Sequence, residues 1–270
     1  VKIAFLGGGN MATALIGGLL GRGLDAGVIS AIEVLPAQRE KLAAGFGVHV
    51  SAAADEATRA ADTLVLAVKP QELRAALAPL APLVAGKLVL SIAAGIRLAD
   101  ISRWLGGHTR LVRAMPNTPA LIGAGIAGLY AAPEVSAEER ARAEAVLGAV
   151  GEYVWVAEER LLDPVTAVSG SGPAYVFWFI EQLAASGEAL GLAPEAARKL
   201  AIATVAGAGR LAAQSGEPPS VLRERVTSKG GTTEAALRVF DEERIAERLR
   251  RALEAASRRG AELGEQLGRD

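Results

Sequence analysis

An apolar run, Ile3-Ala-Phe-Leu6, passes straight into Gly7-x-Gly9-x-x-Ala12, and this junction constrains the fold more than any other stretch. A buried strand, a glycine turn and a helix start in that order make the phosphate cradle of a dinucleotide-binding unit. Gly7 permits the tight turn, Gly9 lets the backbone approach a pyrophosphate, and small Ala12 lets the new helix pack on the sheet. The anion would rest at the helix N-terminus, where free N–H groups and the macrodipole favour negative charge.

The pattern beyond this junction predicts strands at 2–6, 28–32, 63–68, 88–92 and 110–114, alternating with helices at 11–22, 36–45, 71–83 and 98–105. That alternation marks an α/β domain with a mainly parallel sheet. Two more strands are expected at 126–130 and 153–156, around a helix over 137–150 that opens after Ser136 and carries Glu138 and Glu139 in its first turn. After Glu159 the pattern is helical throughout, at 173–190, 194–214, 234–240 and 242–267. The helix over 173–190 is apolar all round and is expected to be buried centrally. The boundary falls near residue 160, giving a Rossmann-type domain over 1–160 and an all-α domain over 161–270.

Composition narrows the chemistry. The 270 residues carry a net charge of −1, which leaves no electrostatic footprint for nucleic acid or an anionic membrane. Cysteine is absent and histidine occurs twice, so thiolate catalysis and a histidine-rich metal site are excluded. No apolar run reaches the roughly 20 residues of a membrane helix, and nothing reads as a signal peptide, so a cytoplasmic protein is expected. The two asparagines of the chain, Asn10 and Asn117, both fall inside motifs.

The candidate site residues follow the strand ends, where α/β sheets bind ligands. Glu33 stands at the end of the second strand, placed to bind adenosine ribose hydroxyls. Arg39, one helical turn on, could reach a 2′-phosphate, but the acid favours NADH over NADPH. Ala67-Val68-Lys69-Pro70 ends the third strand; Pro70 reads as a helix start, and Lys69 as either a surface charge or a group near cofactor and substrate. Ser91 to Gly95 has a similar address, with Ala93 and Ala94 small enough for nicotinamide to lie on the backbone. Asn117, between two prolines, can both donate and accept hydrogen bonds. In the helical half, Ser228-Lys-Gly230-Gly231-Thr232-Thr233 reads either as a loop ending in a threonine cap or as a nest of N–H groups holding a small carboxylate.

Taken in order, Phe-Leu-Gly-Gly-Gly-Asn-Met-Ala, Ala-Val-Lys-Pro, Ser-Ile-Ala-Ala-Gly, Arg-Ala-Met-Pro-Asn-Thr-Pro-Ala, Val-Ser-Gly-Ser-Gly-Pro-Ala-Tyr and Ser-Lys-Gly-Gly-Thr-Thr resemble the pyrroline-5-carboxylate reductase family over nearly the whole chain. The resemblance implies hydride transfer from NADH or NADPH to the C=N bond of 1-pyrroline-5-carboxylate, giving L-proline. It matches Gly8, Asn10, Met11 and Ala12 to the pyrophosphate loop. Ala54, Val68, Lys69, Ala93 and Ala94 match cofactor contacts, and Ser228, Gly231, Thr232 and Thr233 match the site that receives the substrate carboxylate. Thr233 is the candidate to hydrogen-bond the ring nitrogen. The resemblance further implies interlocked helical domains in a homodimer, with the active-site cleft at the dimer interface, and admits a higher homo-oligomer such as a decamer. Two departures stand out. Lys229 replaces a common proline, and Glu33-Val34 replaces residues usual in NADPH users. The rival readings are a β-hydroxyacid dehydrogenase, for which Lys199 would be the catalytic lysine, and a nicotinamide-binding regulatory protein without turnover.

Overall fold

The computed structural model describes residues 1–269. They form two compact units: Val1–Ser171 together with the residues from Ala255 onward, and Gly172–Glu254 between them. The tail, expected in the helical domain, thus returns to the first unit.

In chain order the first unit contains β1 (Ile3–Leu6), α1 (Asn10–Gly21), β2 (Ile29–Ile32), α2 (Pro36–Phe46), β3 (His49–Ser51), α3 (Glu56–Ala60) and β4 (Thr63–Leu66). It continues through α4 (Pro70–Leu77), β5 (Leu88–Ser91), α5 (Leu98–Trp104), β6 (Leu111–Met115), β7 (Gly125–Ala131), α6 (Ala137–Gly148), β8 (Gly151–Trp155) and α7 (Leu162–Val165). One sheet of order β3-β2-β1-β4-β5-β6-β7-β8 results, parallel throughout except between β6 and β7. Both of its faces are covered. Ile3 and Phe5 point into a core with Leu15 and Ile16 of α1, while Ala4 and Leu6 join Leu73 and Leu77 of α4 on the other side. Burial on both faces is why β1 reads as an unbroken apolar run rather than an alternating one.

Each expected strand forms, and α6 opens with the anticipated cap. Ser136 Oγ accepts the Glu139 N–H at 3.2 Å, and the Glu139 carboxylate accepts the Ser136 N–H at 2.9 Å. The helix expected over 71–83 divides: α4 ends at Leu77 and Ala78–Leu83 continues as a 3-10 stretch. Pro79 and Pro82 cannot supply the N–H groups an α-helix needs there. β3 and α3 are additional elements.

The second unit contains α8 (Gly172–Ala189), α9 (Pro194–Ser215), α10 (Pro219–Arg225), α11 (Thr232–Glu242) and the start of α12 (Ile245–Gly268). Gly187 of α8 lies close against Leu192 and Ala197, where an added Cβ would come within 3.2–3.3 Å. The central burial expected of α8 is not met within the chain. Phe177 and Trp178 are each 60% exposed, and Val176 and Phe179 are also exposed. An all-round apolar helix needs cover on every side, and α9 flanks it on one.

Candidate active site

The order of the sheet puts a switch point between β1 and β4, and the glycine turn sits at their carboxyl ends. Gly7 adopts φ +98°, and a Cβ there would lie 2.8 Å from the Ala67 carbonyl and 2.9 Å from Val68 Cγ1. The turn therefore abuts Ala67-Val68 at a distance only glycine tolerates. Gly9 caps α1 with open space where its side chain would stand, and the first turn of α1 carries no acidic group. Asn10 is exposed and Ala12 fully buried beneath it. These features fit a pyrophosphate at the α1 N-terminus, with Asn10 and Met11 offering the first free N–H groups.

Glu33 is 9% exposed and faces this turn. Its Oε2 accepts the Gly8 N–H at 2.9 Å and its Oε1 accepts the Leu35 N–H at 2.8 Å. Each carboxylate oxygen retains a lone pair, enough for two ribose hydroxyls. Arg39 Nη1 donates to the carbonyls of Glu33 and Val34 at 2.8 and 2.9 Å, which holds its guanidinium at the end of β2. Gln38 donates to the Gly8 carbonyl, closing the loop from the other side.

Lys69 is exposed as the cap residue of α4, and Pro70 takes the first helical position, where its missing N–H costs nothing. Ala54 packs half-buried beside the second core. Ala93 is buried and Ala94 exposed in the loop after β5. Asn117 is largely committed to the protein itself. Its Oδ1 accepts the Ile126 N–H at 3.0 Å and its Nδ2 donates to Ser169 Oγ at 3.3 Å, so the amide ties the Met115–Pro119 loop to β7.

A cluster of four charges, not anticipated from the sequence, lies beneath the loop after β5. Arg113 in β6 is 2% exposed and pairs with Glu159 at 3.1 Å. Arg97 pairs with Asp163 at 2.7 Å, and Glu159 also accepts the Leu98 N–H at 2.8 Å. Burial pulls the Arg113 guanidinium below the usual arginine range, opposed by Glu159 and Asp163. The four residues are spread over 66 positions of sequence, so no local spacing reveals them.

In the second unit, the Ser228–Thr233 loop is built differently from the expected nest. The Gly230 N–H already donates to the Glu234 carboxylate at 2.6 Å, and the Gly231 N–H donates to the Ser228 carbonyl at 2.9 Å. The helix cap is Gly231, not a threonine, and it has no side chain to offer the first turn. The N–H groups of Thr232 and Thr233, in the first turn of α11, therefore receive no side-chain cap. Ser228 and Lys229 are exposed beside them. Lys199, on α9, is exposed. Among the described residues, no group of three or more metal-ligating side chains gathers, and no helix is long and apolar enough to cross a membrane.

Comparison with known proteins agrees with this geometry. Residues 159–263 match the family model for pyrroline-5-carboxylate reductase dimerisation, and residues 2–95 match that for NADP oxidoreductase, coenzyme F420-dependent. The pyrroline-5-carboxylate reductase of Pseudomonas aeruginosa is 47% identical over 268 residues, covering 99% of this chain and 98% of that one. The reductase of Arabidopsis thaliana is 36% identical, covering 98% and 96%. The solved pyrroline-5-carboxylate reductase of Coxiella burnetii superimposes with a TM-score of 0.93 at 38% identity, covering 97% and 98%. The Plasmodium falciparum pyrroline carboxylate reductase, solved with NADP bound, gives 0.84 at 27% identity, covering 98% of each chain.

A glycine turn at the switch point of a doubly wound sheet defines a dinucleotide-binding unit, and with relatives that are reductases along the whole chain it marks a nicotinamide-dependent oxidoreductase. The chain belongs to the pyrroline-5-carboxylate reductase family.

Proposed function

We propose that the protein reduces the C=N bond of 1-pyrroline-5-carboxylate to give L-proline, the last step of proline biosynthesis, in the cytoplasm. The observation that carries this reading is the glycine turn pressed against Ala67-Val68, in a chain matched along its whole length by reductases of that name. A bound reduced nicotinamide would supply a hydride, with its two electrons, to the C=N carbon of substrate protonated on nitrogen by solvent. One C–H bond forms, the C=N π electrons become the nitrogen lone pair, and the solvent-derived proton stays as N–H.

The chain's own residues bind and orient. The α1 N-terminus holds the pyrophosphate, Ala93 and Ala94 give the nicotinamide a flat backbone to rest on, and Lys69 lies beside cofactor and substrate. Thr232 and Thr233 receive the substrate carboxylate through N–H and hydroxyl groups, with Ser228 beside them. Thr233 hydrogen-bonds the ring nitrogen, and because a hydroxyl is a weak acid at neutral pH, it orients the C=N group more than it protonates the imine. Glu33 favours NADH: its carboxylate accepts ribose hydroxyls and repels a 2′-phosphate, while Arg39, held on two carbonyls, softens that repulsion.

The 161–270 region serves as the dimerisation domain, and the outward apolar face of α8 is covered by a second copy. Family membership, together with the hydroxyls opening α11, favours this chemistry over the dehydrogenase reading built on Lys199. Purified protein is tested by oxidation of NADH and, separately, NADPH with 1-pyrroline-5-carboxylate. Proline formation establishes the reductase; cofactor binding without oxidation would leave a regulatory protein.

A further inference from the structure

The loop from Ser91 to Gly95 is gripped from below by the last helix of the chain. Gly95 is buried with φ +82°, and a Cβ placed on Gly264 of α12 would lie 2.6 Å from the Gly95 carbonyl oxygen. The two backbones therefore touch with no room for a methyl group between them. The end of α12 is fixed on the same side. Arg103 donates to the Gly268 carbonyl at 2.6 Å, and a Cβ on Gly268 would come within 2.2 Å of the Asp100 carboxylate. Downstream of Gly95 the chain is pinned by Arg97 to Asp163 at 2.7 Å and by the Leu98 N–H to Glu159 at 2.8 Å. Ile96 is wholly buried. A push on Gly95 is thus blocked on the α5 side and passes back toward Ala93 and Ala94.

We propose that Gly264 is a positioning residue for hydride transfer: by direct backbone contact it sets the height of the Ala93–Gly95 loop, and so of the nicotinamide ring. This rests on the reading that Ala93 and Ala94 support the nicotinamide. Gly264 touches neither cofactor nor substrate in this account; it acts through Gly95. Because the pyrophosphate is held separately by the Gly7–Ala12 turn, displacing the loop moves the reacting end of the cofactor more than it weakens the cofactor's binding. Sub-ångström misplacement of a reacting atom is felt in turnover.

Three variants of the full chain test this with steady-state kinetics, NADH affinity, and the isotope effect measured with NADH deuterated at C4. Gly264→Ala is expected to lower kcat about 10-fold, to leave the NADH Kd within about twofold, and to raise the isotope effect as hydride transfer becomes limiting. Gly260→Ala, whose methyl would meet Asp163 at an ordinary 3.9 Å, is expected to match the parent protein. Arg103→Ala, which frees the end of α12 without crowding it, is expected to raise the isotope effect to a lesser degree. It keeps the test decisive if Gly264→Ala does not fold. Unchanged kcat and isotope effect in folded Gly264→Ala, or an equal fall with Gly260→Ala, would overturn the proposal. If the parent protein does not reduce the pyrroline, the proposed activity fails by itself. The fluorescence of bound NADH then still reads whether Gly264→Ala moves the nicotinamide, and an unchanged emission would overturn the positioning role.

Discussion

The Glu33 carboxylate accepts the Gly8 N–H at 2.9 Å, tying the end of β2 to the glycine turn that follows β1. One side chain thereby shapes the glycine turn and, in the proposed reading, presents a charge to the ribose. Replacing it with its amide separates these roles. Glu33→Gln is expected to raise the NADPH-to-NADH ratio of kcat/KM by about 10-fold, because a 2′-phosphate no longer meets a carboxylate. The same change weakens two hydrogen bonds to a charged acceptor, a loss of about 1–3 kcal/mol in urea unfolding. An unaltered cofactor ratio would remove Glu33 from specificity.

Arg113 is expected to be the costliest single truncation in the first unit. Arg113→Ala leaves Glu159 and Asp163 with one cation, Arg97, and strands a buried carboxylate. A loss of about 3–5 kcal/mol follows, read as a fall in the urea midpoint. A loss below about 1 kcal/mol would show that water reaches the cluster and replaces the guanidinium.

His108 gives the fold a pH dependence of known sign. Burial holds its pKa below the ordinary 6.5, opposed by backbone hydrogen bonds at Lys87 and Arg110, while the Arg110 charge lowers it and the Glu139 charge raises it. The unfolded chain then binds a proton that the folded chain refuses. Its contribution is fully present above pH 6.5 and is lost as pH falls from there through the depressed folded value. Urea midpoints of His108→Gln should fall less steeply than those of the parent below pH 6.5. Parallel curves would show that His108 titrates normally.

Trp178 tests the assembly. A carboxylate placed on the exposed aromatic face of α8 would be buried unpaired in a dimer, so Trp178→Glu should weaken association about 100-fold or more. Sedimentation at micromolar concentration should find monomer where the parent is oligomeric. A variant that stays assembled would place the interface elsewhere.

Thr233→Ala addresses the substrate end. Turnover should fall about 10–100-fold, at or below the lower end of what a positioned general acid contributes because the hydroxyl mainly orients the substrate, with NADH affinity within about twofold. Unchanged kcat would remove the Thr233 hydroxyl from the mechanism.

The sheet was legible because its strands are short β-rich runs spaced by helices, and because Gly7 and Gly9 mark where the first one turns. β3 and α3 escaped notice for a physical reason: three and five residues are too few to display a period. Asn117 announced itself as a special position, yet its amide is spent mostly on Ile126 and Ser169, which no motif distinguishes from ligand binding. In α12, Ile245, Leu249 and Leu253 recur every four residues, a spacing that marks a helix. It could not reveal that Gly264 meets Gly95, since a backbone contact across more than 160 residues leaves no local pattern. The apolar sequence of α8 led to an expectation of central burial that the chain alone does not meet, because sequence pattern does not say whose atoms supply the cover.

The return of α12 to the first unit has a consequence for how the protein is made. The glycine turn, the sheet and the Ala93–Gly95 loop leave the ribosome early, but Gly264 and Gly268 follow only after all of Gly172–Glu254 has been translated. At ordinary elongation rates that interval is roughly 5–15 s. Throughout it the nascent chain carries the glycine turn and the sheet while the Ala93–Gly95 loop lacks its contact with Gly264. If Ala93 and Ala94 support the nicotinamide as proposed, cofactor capture and catalytic competence are separated in time, the first open to the growing chain and the second waiting for the end of α12.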